Sequence, residues 1–185
     1  MPLDPQIAQI LQAMAGSPGM ETLPVDQLRA SMLVVPSERR TPVGEVRDIH
    51  LDSASHLIMA RLYLPAQRSR DGLTVFFHGG GFVIGSLESL AGDSAGATLA
   101  TVTALRLRDE GGPRVLAQVL VYPVTDYHTP ATPSYLENAS GYSLTRAAMI
   151  RFWNDYVQES EQALHPHASP LRAPSLAGLP QALVL

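Results

Sequence analysis

The sequence predicts an α/β protein, a mostly parallel sheet flanked by helices. Three observations carry this. LTVFFH (73–78), VLAQVLVYP (115–123) and QALVL (181–185) are short apolar runs without polar alternation, the pattern of strands covered on both faces. Between the first two lies ATLATVTALRLRDEGG (97–112), whose Leu99, Val102, Leu105 and Arg106 follow a helical period. Glycine or proline borders these elements, as turns and helix stops require.

The elements follow in chain order. Residues 4–14 place Ile7, Ile10, Leu11 and Met14 at helical spacing, which predicts a short amphipathic helix. LPVDQLRASML (23–33) predicts a second, with Pro24 near its start. PSERRTPVG (36–44) is a loop. VRDIHLDSASHLIMARLYLP (46–65) predicts two strands about a turn at Asp52–Ser55. Gly111–Gly112 stop the 97–112 helix. Thr129–Gly141 is a loop rich in Pro, Ser and Thr. SLTRAAMIRFWNDYVQ (143–158) is a helix with Ser143 as N-cap and Ala147, Ile150, Trp153 and Val157 on one face. HPHASPLRAPSLAGLP (165–180) is a loop.

Composition narrows the function classes. The chain has 185 residues, 45% hydrophobic and 16% charged, with a formal net charge of −4, as in a globular domain with a real core. It has no long Lys/Arg run, which argues against nucleic acid as a partner. It has no cysteine, so disulfides, thiolate catalysis and cysteine-based zinc sites are excluded. The N-terminus lacks the basic start of a secretory signal, and no apolar run reaches the length of a membrane span. A cytoplasmic location is expected.

Two motifs carry chemistry. Gly92-Asp93-Ser94-Ala95-Gly96 matches G-x-S-x-G, in which a tight strand-to-helix turn lifts a serine out of the backbone. The helix N-terminus that follows favours negative charge at the turn. His78-Gly79-Gly80-Gly81-Phe82 follows an expected buried strand. Consecutive glycines expose backbone N–H groups that can meet an oxyanion. Neither pattern alone is specific; the pair, in this order, is the combination of lipases and esterases.

HGGGFVIGS, AGDSAGATLA and QVLVYPVTD resemble the bacterial hormone-sensitive-lipase-like esterases, a branch of the α/β-hydrolase superfamily. The resemblance implies an α/β-hydrolase fold with a helical cap. Residues 1–40 would form the first part of the cap, 41–128 the core, 129–168 the second part of the cap, and 169–185 the start of a further core strand. It implies a serine carboxylesterase acting on short- to medium-chain esters, with Ser94 as nucleophile and Gly80, Gly81 and Ala95 as oxyanion donors. His78, Gly79, Gly92, Asp93 and Gly96 support the motifs. The expected partner is a small-molecule ester; no cofactor or metal is needed, and a homodimer is one state the family adopts.

The chain departs from the family in two ways. The family's triad runs Ser, Asp, His; QALVL resembles the strand just before the acid, so the acid and the base are expected beyond Leu185. Between Gly81 and Ser94 lie 12 residues, too few for a parallel crossover and a returning strand. A segment is therefore expected to be missing near 89–90, and the stretch as written is not expected to fold directly into a working site. A chain without acid and base would instead be an inactive remnant that binds an ester or a partner. Asp126 and His165 could follow Ser94 in triad order, but Asp126 reads as a loop-bracing carboxylate. His165 and His167 lack a third metal ligand. Phe152, Trp153 and Tyr156 could line an acyl pocket or simply pack.

Overall fold

The computed structural model describes residues 4–31, 41–53, 56–68, 71–87 and 93–185. Helix α1 (Pro5–Met14) starts where Asp4 caps it: the carboxylate accepts from Gln6 N–H at 2.8 Å, satisfying one orphan donor of the first turn. A 3-10 turn (Met20–Thr22) leads to α2 (Val25–Ala30); residues 32–33 of the expected helix lie outside the described residues. Strands β1 (Glu45–Asp52) and β2 (Leu57–Leu64) form the expected antiparallel hairpin, in register from Glu45–Leu64 to Asp52–Leu57. Ser53 and His56 tie its turn through the Ser53 hydroxyl.

Helix α3 (Ala95–Asp109) is the long element of the core. Its buried face differs from the expected one. Ala97, Thr98, Thr101, Val102, Ala104 and Leu105 are buried, whereas Leu99 is half-buried and Arg106 exposed. The helix turns its small residues inward, which permits close backbone approach. Thr98 and Thr101 satisfy their hydroxyls on carbonyls, Thr98 on Val124 at 2.6 Å and Thr101 on Ala97 at 3.1 Å. The predicted stop is realised: Gly111 has φ +68° and Gly112 N–H donates to the Leu107 carbonyl at 2.8 Å, a C-terminal cap only glycine adopts without strain.

The sheet is smaller than expected. Strand β3 (Ala117–Leu120) pairs in parallel with β4 (Gln181–Val184), and a single parallel bridge joins Asp93 to Val121. The expected strand 73–78 is not a strand. Among the described residues nothing pairs with it, and Leu73, Val75 and Phe76 are 79%, 63% and 64% exposed. A strand exists through its ladder; extended backbone without a neighbour has none. The 115–123 run is likewise only partly covered, with Leu120 buried and Leu116 and Val119 exposed.

Three local expectations need correction. The 129–141 loop contains a short helix, α4 (Pro133–Glu137), with proline in its first turn. Helix α5 (Arg146–Tyr156) is capped by Thr145, not Ser143: Thr145 Oγ1 accepts from Ala148 N–H at 3.1 Å. The 165–180 stretch is not entirely loop, since Pro170–Arg172 forms a 3-10 turn.

Helix α5 gathers the core. Phe152 packs with Leu28 and Ile84; Trp153 packs with Ala163 and Ala168, flanked by Phe82, Val124 and Tyr127. Arg151 Nη1 donates to the carbonyls of Met20, Glu21 and Leu23, at 2.6 Å for Leu23. Leu28 is 2% exposed; its truncation to alanine is expected to cost about 2–4 kcal/mol, read as a lowered urea midpoint. His128 is held below its ordinary pKa of 6.5, first by burial and then by Arg146. A depressed histidine stabilises the fold above its unfolded pKa and loses that contribution as pH falls through 6.5 toward the folded value. Replacing His128 with glutamine is therefore expected to flatten the decline in unfolding free energy between about pH 7 and 5.

Candidate active site

The site forms where the N-terminus of α3 meets the glycine turn. Ser94 sits at the junction with φ +53° and ψ −116°, a strained conformation for a residue with a β-carbon. Three bonds hold it. Ser94 N–H donates to the Val121 carbonyl at 2.9 Å, Gly96 N–H to Asp93 at 2.9 Å, and Thr98 N–H to Ser94 at 3.1 Å. The serine begins the helix without using its side chain as a cap. Among the described residues its hydroxyl has no hydrogen-bond partner.

Glycine is required on both sides of the contact. A β-carbon on Gly96 would lie 2.1 Å from the Phe77 carbonyl oxygen and 2.7 Å from that of His78. One on Gly79 would lie 2.7 Å from Asp93 Oδ1. The two motifs therefore meet in space despite the short connection between them. Gly92 and the 89–90 join lie outside the described residues.

The turn is built from positive φ angles: Gly80 at +113°, Gly81 at +58° and Phe82 at +65°. It is closed by Val83 and Ile84 N–H, both donating to the Gly80 carbonyl at 3.1 and 2.9 Å. The N–H groups of Gly80, Gly81 and Ala95 donate to no acceptor among the described residues. His78 serves the turn: its Nδ1 lies 2.7 Å from the Gly79 carbonyl oxygen, and its ring fills the space beside Gly85. Helix α5 roofs the turn, with the Phe152 ring against Gly81. Phe82 stacks on Tyr156 at 4.2 Å and tilts against Trp153 at 5.6 Å. Phe152 and Trp153 are buried packing residues rather than an open pocket wall.

The remaining candidates are otherwise engaged. Asp126 Oδ1 accepts from Arg172 Nε at 2.5 Å and from Tyr127 N–H at 2.8 Å. His165 Nδ1 accepts from His167 N–H at 3.1 Å. Among the described residues no group of three metal-ligating side chains assembles. An open depression of about 570 Å³ bounded by Tyr156, Val157, Glu161, Gln162, His165 and His167 takes in neither Ser94 nor the glycine turn. Sequence reasoning passed over Arg151, Arg172 and Tyr122. Their roles depend on partners distant in sequence, and no local pattern signals them.

The fold and this turn define a class: the chain belongs to the α/β-hydrolase family, in its hormone-sensitive-lipase-like branch. The model of the family described as alpha/beta hydrolase fold matches residues 89–185. Esterase LipI of Mycobacterium tuberculosis is 26% identical over 246 aligned positions, covering 98% of this chain and 76% of LipI. The arylesterase of Saccharolobus solfataricus is 25% identical over 248, covering 100% and 80%. Both alignments exceed the 185 residues of this chain, so each relative carries positions with no counterpart here. The crystal structure of the hyperthermophilic esterase from Pyrobaculum calidifontis superposes with a TM-score of 0.78 at 27% identity, covering 100% of this chain and 79% of that one. Among the described residues no helix is long and apolar enough to cross a membrane.

The contact at Gly96 is predicted to be intolerant. Gly96→Ala is expected to destabilise the fold by about 2–4 kcal/mol, because the obstructing atoms are backbone. Thermal unfolding monitored by circular dichroism checks it.

Proposed function

We propose that this chain carries the nucleophile and oxyanion machinery of a carboxylesterase acting on small esters with short to medium acyl chains. The observation that carries the reading is the backbone of Ser94. Positive φ at a serine that begins a helix, with the hydroxyl unbonded and a glycine turn packed against it, is the geometry of a nucleophile elbow.

In this reading Ser94 Oγ attacks the ester carbonyl carbon and the carbonyl oxygen takes up negative charge. The N–H groups of Gly80, Gly81 and Ala95 receive that charge, supplying stabilisation that exists in the transition state and not in the ground state. The tetrahedral intermediate collapses with loss of the alcohol and leaves an acyl-Ser94 ester, which water then hydrolyses to the acid. The proton of Ser94 goes to a histidine that none of the described residues provides at hydrogen-bond distance, and from it to the departing alcohol oxygen. Residues 1–40 and 129–168 act together as the cap. The Arg151 bonds to residues 20–23 and the Phe152 contact with Gly81 support that role.

A fluorophosphonate tests this. One adduct per chain, located on Ser94 by peptide mass spectrometry and abolished in Ser94→Ala, is the expected outcome. Labelling elsewhere, or none at all in protein that carries the histidine, would refute the reading. Among p-nitrophenyl esters, acetate to hexanoate is expected to be turned over faster than palmitate.

A further inference from the structure

The elbow has a second anchor that the G-x-S-x-G pattern does not contain. Tyr122 follows Val121, whose carbonyl holds Ser94 N–H. Its backbone stands at φ +35°, a region that bulky residues rarely occupy. Its N–H donates to the Leu185 carbonyl at 2.8 Å, so the strained residue is tied to the end of the strand beside it. From there the hydroxyl donates to Asp93 Oδ2 at 2.9 Å. The other oxygen of that carboxylate, Oδ1, is the atom that a β-carbon on Gly79 would approach to 2.7 Å. One carboxylate thus links the end of the β3 segment, the elbow and the glycine turn.

The bond is not a by-product of burial. It joins a residue held at φ +35° to a carboxylate 29 positions away. Strain that persists at such a position points to function.

We infer that Tyr122 is a positioning residue for the chemistry at Ser94. Its hydroxyl fixes Asp93 so that Oδ1 braces Gly79 and sets the distance between the serine and the N–H groups of Gly80 and Gly81. This rests on the serine-hydrolase reading above. An oxyanion donor works only within about 2.7–3.1 Å of the developing charge, and glycines at positive φ form a turn with little stiffness of its own. A brace beside it therefore acts on rate. The same bond draws charge density of the Asp93 carboxylate toward the phenol and away from the place where the oxyanion forms. In keeping with an anionic partner, the Tyr122 hydroxyl is raised above its ordinary pKa, first by the bond to Asp93 and then by burial.

The test follows phosphonylation by a fluorophosphonate, by intact mass, in the parent protein, Tyr122→Phe, Asp93→Ala and the double variant. Both the rate and the final extent are recorded, together with deuterium uptake at residues 79–82. Tyr122→Phe is expected to reach the parent's final extent about five- to tenfold more slowly, with faster exchange at the turn. The double variant is expected to be no slower than Asp93→Ala, because both changes break one linkage. Asp93→Asn keeps an acceptor for the phenol and is expected within about twofold of the parent; it also serves if Tyr122→Phe fails to fold. Parent-like rate and exchange in Tyr122→Phe, additive losses in the double variant, or an Asp93→Asn protein as slow as Asp93→Ala would each overturn the positioning role alone. A parent that carries the histidine and still takes up no phosphonate overturns the serine-hydrolase reading and this inference with it.

Discussion

The structure depends on one close approach, that of the α3 N-terminus to the extended segment that leads into the glycine turn. Two glycines allow it. Gly96 admits the carbonyls of Phe77 and His78 where a side chain would stand, and Gly79 admits the Asp93 side chain. With any larger residue the backbones separate, because the atoms in the way are largely backbone. The strain at Ser94 has the same origin. The chain must leave the bridge at Asp93–Val121 and enter a helix within one residue, and positive φ at that residue accomplishes it. Three backbone bonds around the elbow offset the cost.

Against this well-determined corner stands an open sheet. Leu73, Val75, Phe76, Leu116 and Val119 face solvent, though their sequence is that of covered strands. Relatives align over 246 and 248 positions, so each has residues with no counterpart among the 185 of this chain. The elbow and the turn meet through contacts among residues 77–85, 93–98 and 121–124, with Phe152 and Leu185 packed or bonded against them. Hydrogen bonds and glycine packing there do not need the rest of the ladder.

Local patterns in the sequence are legible where local chemistry decides. The glycine stop of α3, the hairpin and the first helix each follow from residues within a turn or two of one another. The misreadings share a different cause. LTVFFH looks like a strand because its composition is that of one, but pairing is a property of neighbours, and composition cannot report whether they are present. Helix α3 buries Thr98 and Thr101 and leaves Leu99 half-buried because the carbonyl of Val124 and the nearby glycine turn favour small side chains there. Thr145 takes the cap from Ser143 because the helix begins two residues late. The Tyr122–Asp93 bond spans 29 positions and has no sequence signature.

Arg151 gives the molecule a mechanical property. Its guanidinium grips three carbonyls of residues 20–23, while the next residue, Phe152, rests on Gly81 and on Leu28. The N-terminal segment and the α5 roof are therefore latched to each other as well as to the turn. Any loosening of residues 20–23 is therefore transmitted to the glycine turn through two adjacent residues of α5, although the two segments are far apart in the chain.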